Sequence, residues 1–253
     1  GYIAKGEESV TANDMTAMTG YEPIKFVSTA AHSGASKGTS DWPLFRTAEV
    51  YLNYAEAKAE LGTLTKDDLL ISIDRIRDRA GMKGLDMAAA NANPDPFLLA
   101  CYPNVTKSEN TGVILEIRRE RTIELVMEGL RIWDMFRWKE GAQLVNETNP
   151  YYGIYFSGPG LYDMDGDGRN DLELYVDKQT SSPADGLTVL RIGSDIILSD
   201  MAENRGYVVA WSTLKYTWNE ERDYLWPIPA DQRVLTGGLL TQNPGWTDST
   251  DFD

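Results

Sequence analysis

The chain has 253 residues, 42% hydrophobic and 25% charged, enough for a substantial core and against global disorder. A formal net charge of −15 argues against nucleic acid as a partner, since neutralising phosphates takes clustered Lys and Arg, and against electrostatic attachment to an anionic membrane. One cysteine, Cys101, and one histidine, His32, exclude an intramolecular disulfide, a thiolate zinc site and nearly all His- or Cys-dependent catalysis.

Residues 1–41 are polar, rich in Gly and Ser and without a sustained period, so an irregular lead-in is expected. The opening GYIAKGEESV carries no signal peptide and reads as a fragment or processed form. From Pro43 the residues Leu44, Ala48, Tyr51, Leu52, Ala55 and Ala59 share one face, which predicts a helix over 43–61 closed by Gly62. A second helix is predicted over 67–80, with Leu69, Leu70, Ile73 and Ile76 as its apolar stripe and Gly81 as its stop. These two form an antiparallel pair whose small-residue pattern is tetratricopeptide-like. A single such unit cannot bury both its faces.

Residues 81–112 are punctuated by Asn91, Asn93, Pro94, Pro96, Pro103 and Asn104 and read as loop. A long helix is predicted over 113–139, with Arg121–Glu124, Glu128–Arg131 and Asp134–Arg137 as ion pairs at helical spacing. From Tyr151 onward the short runs YYGIYF, LELYV, LTVLRI and DIILS predict strands between Gly, Pro, Asp and Ser clusters. The closing YLWPIPADQRVLTGGLLTQNPGW is too rich in Pro and Gly for regular structure. The class expected is mainly α with a small β-hairpin excursion and long irregular loops. One domain is expected over 1–253: a lead-in to 41, a helical core over 42–139, the β excursion over 150–200 and a closing segment over 201–253.

Three segments resemble the C-terminal domain of the SusD/RagB family. They are DWPLFRTAEVYLNYAEAKAELG with IDRIRDRAG, ILEIRRERTIELVMEGLRIWDMFRW, and YLWPIP with QNPGW near the end; TGYEPIKF upstream is similar too. The resemblance runs from about Gly20 to Trp246. It implies a SusD-like helical fold and an exported, surface-exposed lipoprotein of the outer membrane. It further implies binding of glycans or other nutrients beside a SusC-like TonB-dependent transporter. Family members are longer, with an N-terminal half that this chain lacks and a lipid-anchoring cysteine at the mature N-terminus, a role Cys101 does not fill.

Three constellations bear chemistry. Glu120, Glu124 and Glu128 stand one helical turn apart, but each has an arginine within reach, so ion pairing rather than acid–base work is expected, and no enzyme is indicated. The aromatics Trp211, Tyr216 and Trp218 in WSTLKYTW, with Tyr152 beside Tyr151 and Tyr155, are candidates for stacking on sugar rings; the bland alternative packs them under YLWPIP. In DMDGDGRND, the carboxylates of Asp163, Asp165, Asp167 and Asp171 and the carbonyl of Arg169 have the spacing of a calcium loop. The bidentate glutamate of a helical EF-hand is missing, because Leu174 holds that position. A structural Ca2+ is expected there, against a metal-free acidic turn. The function expected is non-catalytic binding of oligo- or polysaccharide for delivery to the transporter. The alternatives are a tetratricopeptide-like scaffold that binds only protein, and a secreted hydrolase.

Overall fold

The computed structural model describes residues 19–21, 25, 43–145, 152–164, 166–183, 186–210 and 217–247. The chain divides into two compact units: residues 42–146 with 216–253, and residues 1–41 with 147–215. Nine helices and two three-stranded sheets lie among the described residues, the helices in the first of these units and the strands in the second.

In the helical unit, α1 spans Thr47–Glu60. It starts four residues later than its apolar face suggests, because the backbone is still extended at Arg46 (φ −127°, ψ 141°), whose side chain bonds Glu124 and Glu128. It closes as expected, with Thr63 N–H donating to Lys58 C=O and Gly62 N–H to Ala59 C=O. The predicted second helix is two: α2, Lys66–Leu70, and α3, Ile73–Arg79. Thr65 and Asp68 form a capping box at the start of α2. The break falls at Ser72, whose hydroxyl donates to Asp68 C=O in competition with the backbone pattern.

The segment expected as loop holds α4, Met87–Ala92, and α5, Pro96–Cys101, capped by Asp86 and Asp95. Both pack on α6, Thr111–Glu124. Gly112 permits the approach of α4, since a Cβ there would lie 1.9 Å from Ala90 O. The long helix predicted over 113–139 is also two, α6 and α7, Arg131–Arg137. Between them Met127 and Gly129 take positive φ, 65° and 76°, and the chain reverses. In a straight helix Arg121 and Asp134 would lie about 20 Å apart. Here Arg121 Nε is 2.7 Å from Asp134 Oδ2. The core of α1, α3 and α6 includes Leu52, Ala55, Ile73, Val113, Ile114 and Ile117, with Leu52 and Ile73 at 0% exposure. Short α8, Gly141–Val145, and α9, Ala230–Leu235, complete this unit.

In the second unit, β1, Tyr152–Phe156, pairs antiparallel with β6, Arg205–Val209, which pairs antiparallel with β5, Leu198–Asp200. A second sheet sets β2, Gly160–Tyr162, antiparallel to β3, Leu172–Tyr175, and β3 parallel to β4, Thr188–Arg191. The expected runs are thus seen as β1, β3, β4 and β5. The acidic loop is spanned by the hairpin β2–β3, and β1 finds its partner some fifty residues on, in a run for which no strand was expected. Ile154, Phe156, Leu172, Leu174, Ile192 and Leu198 are buried together beneath the sheets. Buried Glu173 accepts from Thr180 N–H, Thr180 Oγ1 and Ser181 N–H, which pins the crossover between the parallel strands.

Candidate functional site

The glutamates of the helical motif are matched with arginines from other elements. Arg77 bonds Glu120. Arg46 Nη1 lies 2.8 Å from Glu124 Oε1 and Arg46 Nε 2.9 Å from Glu128 Oε2, while Arg79 Nη2 is 2.7 Å from Glu124 Oε2. Asp134 is shared by Arg121 and by Arg137, the latter pair as expected at i, i+3. Arg137 also holds Glu56, which accepts Trp138 Nε1–H at 2.7 Å. Burial pushes the Glu56 carboxyl up, but the bonds from Arg137 and Trp138 outweigh it and leave it below the usual range. At Glu120 burial prevails over Arg77 and the shift is upward. The pairings differ from those of a single helix, because the turn at 125–129 brings Glu128 to Arg46 and Arg121 to Asp134. Arg131 donates instead to Thr122 Oγ1 at 3.0 Å.

The aromatic candidates separate. Trp211 and Tyr216, and Tyr151 beside Tyr152, lie outside the described residues. Trp218 is half-buried in the helical unit, 5.0 Å from the Tyr224 ring of YLWPIP and 5.6 Å from Phe136. Gly141 is the glycine beneath it; a Cβ there would lie 1.9 Å from the indole. Tyr152 stands on the outer face of β1 and is 45% exposed. With it are Tyr155, 54% exposed, and Tyr207 of β6, 46% exposed. Tyr207 is central, its ring centroid 5.3 Å from Tyr152 in a stacked arrangement and 5.2 Å from Tyr155 edge to face.

Tyr152 and Tyr155 share this face only because of a bulge. In a regular strand residues three apart point to opposite faces. Here Tyr152 pairs with Val209 and Tyr155 with Tyr207, so β1 carries one extra residue at Gly153–Ile154. Ile154 N–H bonds Thr19 C=O at 2.9 Å, and a Cβ on Gly153 would lie 2.2 Å from that oxygen. A second register shift sits between β5 and β6, where Gly206 has φ 116° and Tyr207 N–H donates to Ser199 Oγ at 3.0 Å. Tyr207 was not singled out from the sequence; the β-prone run Tyr207-Val208-Val209 was its signal, in a stretch assigned only to the closing segment.

In the acidic loop, Asp163 caps both Gly166 N–H, at 2.6 Å, and Gly168 N–H, at 2.8 Å. Asp167 accepts from Arg169 N–H at 2.7 Å, and Asp171 from Met164 N–H at 2.8 Å. Asp165 lies outside the described residues. Among the described residues, no three His, Cys, Asp or Glu side chains form a group able to hold an ion. The carboxylates that are described serve the turn's own amides.

Residues 1–246 match the SusD family, and the chain belongs to it. Among solved structures it is similar to a SusD-like protein from Bacteroides fragilis, at 23% identity and a TM-score of 0.47. The similarity covers 87% of this chain and 28% of that one, so this chain spans under a third of that protein's length. No curated protein matches it. Among the described residues no helix is long and apolar enough to cross a membrane.

Proposed function

We propose that this chain is the nutrient-binding part of an outer-membrane surface lipoprotein, which captures oligo- or polysaccharide without cleaving it and delivers it to a SusC-like TonB-dependent transporter. The observation that carries this reading is membership of the SusD family across residues 1–246. The ion pairing of Glu120, Glu124 and Glu128 supports binding without turnover. A general acid and its base need opposed protonation states across a cleft, whereas these carboxylates are tied to arginines along one motif. Affinity electrophoresis of the full chain through soluble polysaccharides, with a reducing-end assay on the same mixtures, is the test. Retardation by a polysaccharide with no new reducing ends is expected. Retention by none sinks the proposal in favour of a protein-only scaffold, and turnover that depends on one of the three glutamates sinks it in favour of a hydrolase.

A further inference from the structure

The turn at 125–129 that sends Glu128 to Arg46 leaves one cation of the helical motif without an acid. Of the arginines on α6 and α7, Arg118, Arg119, Arg121 and Arg137 each form an ion pair, whereas Arg131 has no carboxylate partner among the described residues. Its one hydrogen bond there runs from Nη1 to Thr122 Oγ1 at 3.0 Å, and Thr122 is itself fixed by donating to Arg118 C=O at 2.7 Å. With the Tyr102 ring 5.5 Å away, the guanidinium is held while the rest of its fork stays open. It lines a cleft of about 570 Å³ formed by α5, α6 and the start of α7, with Phe97, Leu98, Tyr102 and Ile123 as apolar walls. We propose that this cleft binds a small organic monocarboxylate, its carboxylate on Arg131 and its apolar body against Phe97 and Ile123. This site goes beyond the glycan reading above and does not depend on it.

The lining selects that occupant. Small-molecule pockets of this volume join mostly apolar walls to a few polar groups that fix orientation. Asp95 and Arg119 also line the cleft but satisfy each other, and Arg119 bonds Glu116 as well at 3.3 Å. Arg131 is therefore the uncompensated charge of the lining, and a guanidinium fork matches the two oxygens of a carboxylate. A phosphate dianion would bring a second negative charge that no cation of the lining meets, into a chain of net charge −15. A sugar would turn several hydroxyls toward Phe97, Leu98 and Ile123, whose side chains cannot pair with them.

Cys101, the chain's one cysteine, lies on the cleft, so its alkylation by N-ethylmaleimide, read by mass, reports on this place alone. Calorimetry and alkylation rates are measured on the full chain with benzoate, trans-cinnamate, 3-phenylpropionate and octanoate, and with the matching primary amides. At least one acid is expected to bind with a dissociation constant of about 1 mM or lower and to slow alkylation in proportion to its occupancy. The matching amide should bind about tenfold more weakly, and Arg131→Gln should bring the acid down to the level of the amide. Should Arg131→Gln fail to fold, Phe97→Ala, at an exposed wall position, decides by weakening the acid about fivefold. The site is overturned if no acid binds, if an acid binds without slowing alkylation, or if acid and amide bind alike. Wild-type affinity in the folded variant overturns it too. A wild type that sediments as a dimer with Cys101 inert to N-ethylmaleimide assigns the cleft to a second copy and overturns the small-molecule site. Polysaccharide retardation is a separate readout, so the glycan reading stands or falls independently of these outcomes.

Discussion

Arg121 and Asp134 are both nearly buried, and the guanidinium divides between Asp134 Oδ2 at 2.7 Å and Asn53 Oδ1 at 2.6 Å. Truncation strands the carboxylate with only the i, i+3 bond from half-exposed Arg137. Arg121→Ala should therefore lower stability by about 3 kcal/mol. Arg131 makes one side-chain bond, to Thr122, and lies over the Tyr102 ring at 5.5 Å, so Arg131→Ala should cost about 1 kcal/mol. Urea unfolding of the two variants measures both, and the reverse order would contradict the assignment. Glu173 makes a statement about pH. Burial pushes its carboxyl up, but the amides of Thr180 and Ser181 and the Thr180 hydroxyl more than offset this and hold it at about 2, against an ordinary 4.5. Between those values the unfolded chain binds the extra proton, so this stabilisation is complete above about pH 4.5 and drains as pH falls toward 2. Glu173→Gln should flatten the melting temperature across that interval, and an acid limb as steep as wild type would refute it.

At the scale of elements, apolar period placed the helices and missed where they break. Nothing in the stripe of Ile114, Ile117 and Leu125 announces a reversal, although Gly129 is the visible hint, since glycine takes the left-handed conformation without the steric cost most side chains carry. The short α4 and α5 hid among Asn and Pro because their stability comes from caps and from packing on α6, not from a period of their own. The acidic loop between β2 and β3 carries the calcium proposal, which rests on the spacing of Asp163, Asp165, Asp167 and Asp171. If a divalent ion relieves the mutual repulsion of these four carboxylates, millimolar Ca2+ raises the melting temperature, EDTA reverses the rise, and Asp163→Asn abolishes it. A melting temperature indifferent to calcium and chelator makes the loop an amide-capped turn and nothing more.

For the molecule as a whole, net charge bears on the ligand. At −15, uronic-acid polymers should be repelled. Electrophoresis through pectate at low salt is therefore expected to show no retardation under conditions where a neutral polysaccharide retards the chain. Preferential binding of the acidic polymer would contradict this expectation. The sequence by itself determined the family, through three long motifs in order, and the mainly helical stretch over 43–139, because period and composition are local properties of the chain. It also determined that the motif glutamates are met by arginines, since residue types in such density leave little choice. Only tertiary structure decided which arginine meets which acid, because the turn at 125–129 replaces neighbours along a helix with neighbours across a reversal. It likewise decided that Tyr152, Tyr155 and Tyr207 form one face: a bulge flips the parity of a strand, and β1 meets β6 only by pairing across the intervening chain, a non-local event that no window of sequence contains.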